Sequence, residues 1–113
     1  FPKLRFGFVE GGSEWLPFAV NRTRRWAKRF GETDRTEKML ADLRFFVTCE
    51  THEDLPQVLR YAGEDNLLLG TDYGHADTST ELAAHEVLLG RNDLPAGVAA
   101  KITQVNPKAF YGL

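Results

Sequence analysis

Three short apolar segments, none joined to the next by a hairpin turn, most constrain what this chain can fold into. Leu4–Val9 is aromatic-rich and ends on Glu10-Gly11-Gly12, Phe45–Cys49 ends on Glu50-Thr51-His52, and Leu67–Leu69 ends on Gly70-Thr71-Asp72. Aromatic, β-branched and aliphatic runs bounded by such residues predict strands. The last two alternate little, as expected of strands buried on both faces of a parallel sheet rather than of a hairpin with one wet face. Parallel neighbours need a crossover, and residues 10–44 and 50–66 are long enough to provide one each.

The intervening sequence reads as helical. Glu14–Phe30 offers Trp15, Phe18, Ala19 and Trp26 as buried positions, with Gly31 as its stop. Asp54–Ala62 places Leu55, Val58, Leu59 and Ala62 at helical spacing; Thr51 and Asp54 have capping-box spacing before it, and Gly63 follows. Thr78 and Glu81 repeat that spacing ahead of Leu82–Leu89, which Gly90 ends. Asp93-Leu94-Pro95 starts a last helix whose Leu94, Val98, Ile102 and Val105 line one face until Asn106-Pro107 stops it. No repeat or linker divides the chain, so residues 1–113 form one segment of alternating strands and helices.

Composition excludes several classes. The 113 residues are 42% hydrophobic and 27% charged, an ordinary globular balance, and no apolar run approaches the roughly 20 residues of a membrane span. No basic and apolar leader opens the chain, and a single cysteine, Cys49, can form no internal disulfide, so a cytoplasmic location is expected. With 14 basic and 16 acidic side chains, the net charge of −2 gives no global reason for a nucleic-acid or membrane partner. Arg22, Arg24, Arg25, Lys28 and Arg29 do cluster around Trp26, but the acidic surroundings favour a solvated helix face with Trp26 turned inward. Asn21-Arg22-Thr23 matches a glycosylation acceptor, a weak signal without secretory features.

Ligands of parallel α/β folds collect at the carboxyl ends of the strands. There the chain has Glu10, then Glu50 and His52, then Asp72, His75 and Asp77. A carboxylate delivered by an apolar strand such as Leu67–Leu69 is costly to bury without a cation or several donors. Asp72 and His75 are also suitable zinc or manganese ligands and proton-transfer groups. Each has a plainer alternative: Asp72 as a loop cap, His75 as a surface histidine, Glu10 as a salt-bridged residue, Glu50 and His52 as a solvated helix start beside Glu53 and Asp54. His85 and Cys49 read as structural.

Leu69-Gly70-Thr71-Asp72-Tyr73-Gly74-His75 resembles the last-strand signature of the amidohydrolase superfamily, and more narrowly its amidohydrolase-related branch of metal-dependent hydrolases and nonoxidative decarboxylases. Phe1–Pro17 looks like that branch's sixth-strand region, Phe45–Thr48 like its seventh, and Lys101–Asn106 with Phe110–Leu113 like its closing helix. Gly74 and Pro107 stand where the branch usually has Pro and Ala. The resemblance implies the carboxyl-terminal part, about three strand-helix units, of a TIM (β/α)8 barrel. It implies a catalytic Asp72 that binds a divalent metal, zinc before manganese or iron, or takes a proton from metal-bound water. It places Glu10 and His75 near a small-molecule substrate, an organic carboxylic acid of aliphatic or aromatic type. The family's His-x-His pair is absent and the chain has three histidines, so the remaining ligands are expected before Phe1. The chain is therefore expected to form a homo-oligomer or to pack on an amino-terminal portion. A noncatalytic assembly module is the alternative function.

Overall fold

A computed structural model of the chain describes residues 1, 3–34, 36–76 and 80–113. Asp77, expected at a strand end, and Thr78, expected at a helix start, lie outside the described residues. Three strands, β1 (Phe6–Phe8), β2 (Phe45–Cys49) and β3 (Leu67–Leu69), form one sheet in the order β1-β2-β3. All neighbours are parallel, with Gly7 beside Phe46 and Thr48 beside Leu68. Helix α1 (Leu16–Phe30) crosses from β1 towards β2, and α3 (Leu55–Ala62) links β2 to β3. The parallel α/β expectation holds, with β2 and β3 at the expected residues.

Alternation across the sheet decides the layers. Val47, Cys49 and Leu67 point to the helix-bearing side and pack with Leu16, Leu55, Val58, Leu88, Val98 and Ile102 into one core. Gly7, Phe46 and Leu68 face the other way. There the Phe110 ring lies 5.2 Å from that of Phe46 and approaches Gly7 so closely that a Cβ would sit 2.8 Å from it. A larger residue at Gly7 would push Phe110 off the sheet.

At β1 neither face is closed. Phe6 and Phe8 make edge contacts with Phe45 and Phe8 with Trp15, yet all three residues of β1 are exposed. Among the described residues both β1 and β3 have an unpaired outer edge, the situation natural sheets usually cover.

Several helix expectations need correction. The inward face of α1 is Leu16 and Val20; Phe18 and Trp26 are 70% and 60% exposed, and Trp15 is also exposed. On a wheel of 100° per residue Leu16, Val20 and Ala27 share one direction, which leaves Trp26 at the flank. A 3₁₀ turn, Thr36–Lys38, and helix α2 (Met39–Leu43) occupy residues that show too short a period to be read. Asp54 rather than Thr51 caps α3, accepting from Gln57 N at 3.0 Å. Helix α4 (Ala84–Leu89) begins after a turn at 82–83, where the Glu81 carboxylate accepts from Ala83 N, and His85 is exposed.

The last helical stretch differs most. Helix α5 (Val98–Ala100) runs into a π turn (Lys101–Val105) and then into α6 (Asn106–Tyr111). Pro107 sits in the first turn of α6, where a missing N–H costs nothing, so Asn106-Pro107 continues the helix instead of ending it. The π turn, closed by Asn106 N on Lys101 O, adds a residue to one turn. Val105, inward on an α period, is thereby 56% exposed, and Asn106 takes the buried place. Its Nδ2 donates to the carbonyls of Glu64 and Leu67, both at 2.8 Å. No helix among the described residues is long and apolar enough to cross a membrane.

Candidate functional site

The parallel sheet delivers the three strand ends to one side of the molecule. A cleft of about 280 Å³ opens there, lined by Glu10 from the end of β1, Thr48 and Glu50 from β2, and Thr71, Asp72 and His75 from β3. Glu10 is exposed, while Glu50 and Asp72 are half-buried. The expected site residues Glu10, Asp72 and His75 are thus brought together, and Glu50 joins them. His52 points away to solvent, its Nδ1 3.5 Å from a Glu50 oxygen.

Two of these acids leave their strands in an unusual backbone state. Glu10 (φ 61°) and Asp72 (φ 48°) are left-handed, a conformation that costs a side-chain-bearing residue about 1 kcal/mol or more. At Asp72 the state reverses the chain just after the apolar strand. His75 N donates to Asp72 O at 3.1 Å, and the Thr80 hydroxyl lies 3.0 Å from Asp72 O and 2.8 Å from His75 O. The loop is therefore closed by the Asp72 carbonyl. Among the described residues its carboxylate accepts no hydrogen bond.

Beneath the cleft, Glu53 anchors the loops. Read from sequence it belongs to a solvated helix start; instead it is 4% exposed. Its carboxylate accepts from Ser13 N and Ser13 Oγ, both at 2.6 Å, and from Glu50 N at 3.0 Å. Ser13 is itself buried. Gly12 approaches so closely, at φ 58°, that a Cβ there would collide with the Glu53 carboxylate. Arg91 holds the same loop from outside through the carbonyls of Thr51 and Glu53, at 2.9 and 2.8 Å, while pairing with Asp93. Little in the local sequence marks Glu53, because two of its three donors come from Ser13, 40 residues away; the Gly-Gly-Ser run after β1 was the available signal.

Cys49, on the helix side of β2, is fully buried. Burial, with a smaller push from the Glu53 carboxylate, raises its thiol to about 12. Against an ordinary thiol value of 9.0 that removes roughly a thousandfold of thiolate near neutral pH. Labelling by iodoacetamide should therefore be slow in the native chain and fast in guanidinium; rates within tenfold of each other would contradict the burial.

The donors do not by themselves amount to a metal centre. Among the described residues no three His, Cys, Asp or Glu side chains are grouped so as to hold an ion. The divalent ion implied by the sequence resemblance does not fit these residues alone. Equimolar zinc, manganese or iron is accordingly expected to move the melting temperature of the chain by no more than about 1 °C, since stabilisation follows ligand binding to the folded state. A rise of several degrees would reveal a site.

Among solved structures, the fold is similar to that of an amidohydrolase from Mycobacterium avium subsp. paratuberculosis K-10, with a TM-score of 0.76 and 21% identity. The likeness shows a shared fold. It covers 99% of this chain but 29% of that one, so the chain spans under a third of the neighbour's length. No protein-family model matches the chain, and no curated protein does either.

Proposed function

We propose that this chain is the carboxyl-terminal, three-unit portion of an amidohydrolase-like (β/α)8 barrel and carries one side of a hydrolase active site. The reading is supported by one observation above all: Glu10, Glu50, Asp72 and His75, from the ends of three adjacent parallel strands, line a single cleft. This is the end of the sheet where such barrels do their chemistry. Asp72 accepts the proton of the water that attacks the substrate carbonyl and returns it to the leaving group. Glu10 and His75 hold the substrate by hydrogen bonds.

Hydrolysis is favoured over decarboxylation by charge. The described lining holds three carboxylates and neither lysine nor arginine, so a substrate carboxylate would meet repulsion there. A neutral amide, ester or lactone would not. The further acids and histidines that a divalent ion would require are not supplied by the described residues, and no step above depends on one.

The second reading, a noncatalytic assembly module, is favoured by the exposed β1 with its half-bare Phe6 and Phe8. In either case that edge calls for a partner, a second copy or a preceding segment. The product of the whole reading frame around residues 1–113 should be assayed against a panel of amides, esters, lactones and small carboxylic acids, with and without added zinc, manganese or iron. Turnover of a neutral carbonyl substrate is expected. Release of carbon dioxide alone would overturn the hydrolytic assignment, and inactivity throughout would leave the assembly role.

A further inference from the structure

The outer face of α1 combines charge and bare aromatic surface in a way the strand-end chemistry does not use. From Leu16 to Phe30 the helix has no acidic residue and carries Arg22, Arg24, Arg25, Lys28 and Arg29. Arg24 pairs with Asp34; among the described residues the other four make no ion pair. Trp26 and Phe30, 60% and 61% exposed, sit with ring centroids 5.2 Å apart. Together with Arg22, Arg25 and Arg29 they line a cleft of about 460 Å³. The solvated-face reading rests on acidic surroundings and expects Trp26 to turn inward, whereas Trp26 is exposed beside the arginines.

We infer that this face binds single-stranded nucleic acid, with the Arg22, Arg25 and Arg29 guanidiniums on successive phosphates and a base stacked on Trp26 and Phe30. Guanidinium forks match phosphate oxygens, and exposed rings accept any base face. A bilayer fits less well. At 100° per residue the three arginines fall within about 60° of the line pointing furthest from the core, with Trp26 to one side. The rings could not enter the acyl region without drawing three charges after them. The overall charge of −2 does not oppose the assignment, because the cationic groups lie on one helix and exposed charges act over about a Debye length of 8–10 Å.

The test is fluorescence anisotropy of labelled oligo(dT) and oligo(U) of about 15 nucleotides, titrated with the chain. Three phosphate contacts imply a salt slope near −2, hence roughly 20-fold weaker binding between about 50 and 200 mM salt. Trp26→Ala should weaken binding at least about fivefold through lost stacking. The double change Arg25→Glu/Arg29→Glu should abolish it, and both variants should keep the parent's circular dichroism, since these side chains are exposed. Absence of an anisotropy change at about 100 µM chain in low salt would overturn the proposal. So would binding indifferent to Trp26→Ala, which would mark a general polyanion surface. Co-sedimentation with phosphatidylserine vesicles in the absence of oligonucleotide binding would assign the face to membranes and equally overturn it.

Discussion

Replacing Glu53 by Ala is expected to lower the melting temperature by roughly 12 °C or more. The change leaves three donors without their acceptor: Ser13 N, Ser13 Oγ and Glu50 N. The two Ser13 donors are buried and Glu50 N is partly so; at about 1–3 kcal/mol for each buried unpaired donor the loss comes to about 3 kcal/mol, and each kcal/mol is worth about 4 °C in a domain of this size. Glu53→Gln keeps the shape and one good acceptor and should fall in between. Glu14→Ala is the control: its carboxylate accepts from Asp54 N at 3.3 Å on the exposed surface, and its loss should cost under about 0.5 kcal/mol. The readout is thermal unfolding by circular dichroism. A drop below about 4 °C for Glu53→Ala would mean that water enters and satisfies the donors.

On the hydrolytic reading proposed above, Asp72→Asn should cut kcat/KM of the product of the whole reading frame by about 10²–10⁴-fold with the fold retained. The amide cannot take a proton from water. It suits the backbone, because Asn tolerates the left-handed conformation that Asp72 adopts at φ 48° better than most residues. An alanine there would mix strain with chemistry and is the poorer probe. Full activity in Asp72→Asn would remove the residue from its proposed role as base, whereas a loss of thermal stability equal to that of Glu53→Ala would make the kinetic result a folding effect.

How much of this was visible in the residues themselves depends on the range of the forces involved. β2 and β3 read correctly because burial on both faces leaves an apolar run that needs no knowledge of its neighbours. The cleft followed from topology: once strands are parallel, Glu10, Glu50 and Asp72 must emerge on one side. The burial of Glu53 is not legible because the partner that covers it, Ser13, is non-local; three acids in the run 50–54 look solvated until Ser13 is placed against one of them. Trp26 reads as a buried position of Glu14–Phe30, although the shared direction of Leu16, Val20 and Ala27 already points elsewhere. Val105 was lost for a different reason, since an even helical period cannot anticipate an extra residue in one turn.

That extra residue makes the closing helix sensitive to its length as much as to its composition. Deleting one position between 101 and 105 would restore a uniform α ladder and locally improve the helix. It would also swing everything downstream through about 100°. Asn106 would leave the carbonyls of Glu64 and Leu67, and Phe110 would come away from Phe46 and Gly7. The strand-end cleft lies at the opposite end of the sheet from Asn106 and would be reached only through β3. A one-residue deletion in a regular-looking helix would therefore act as a sheet mutation, while most substitutions at the exposed Gln104 and Val105 would pass unnoticed.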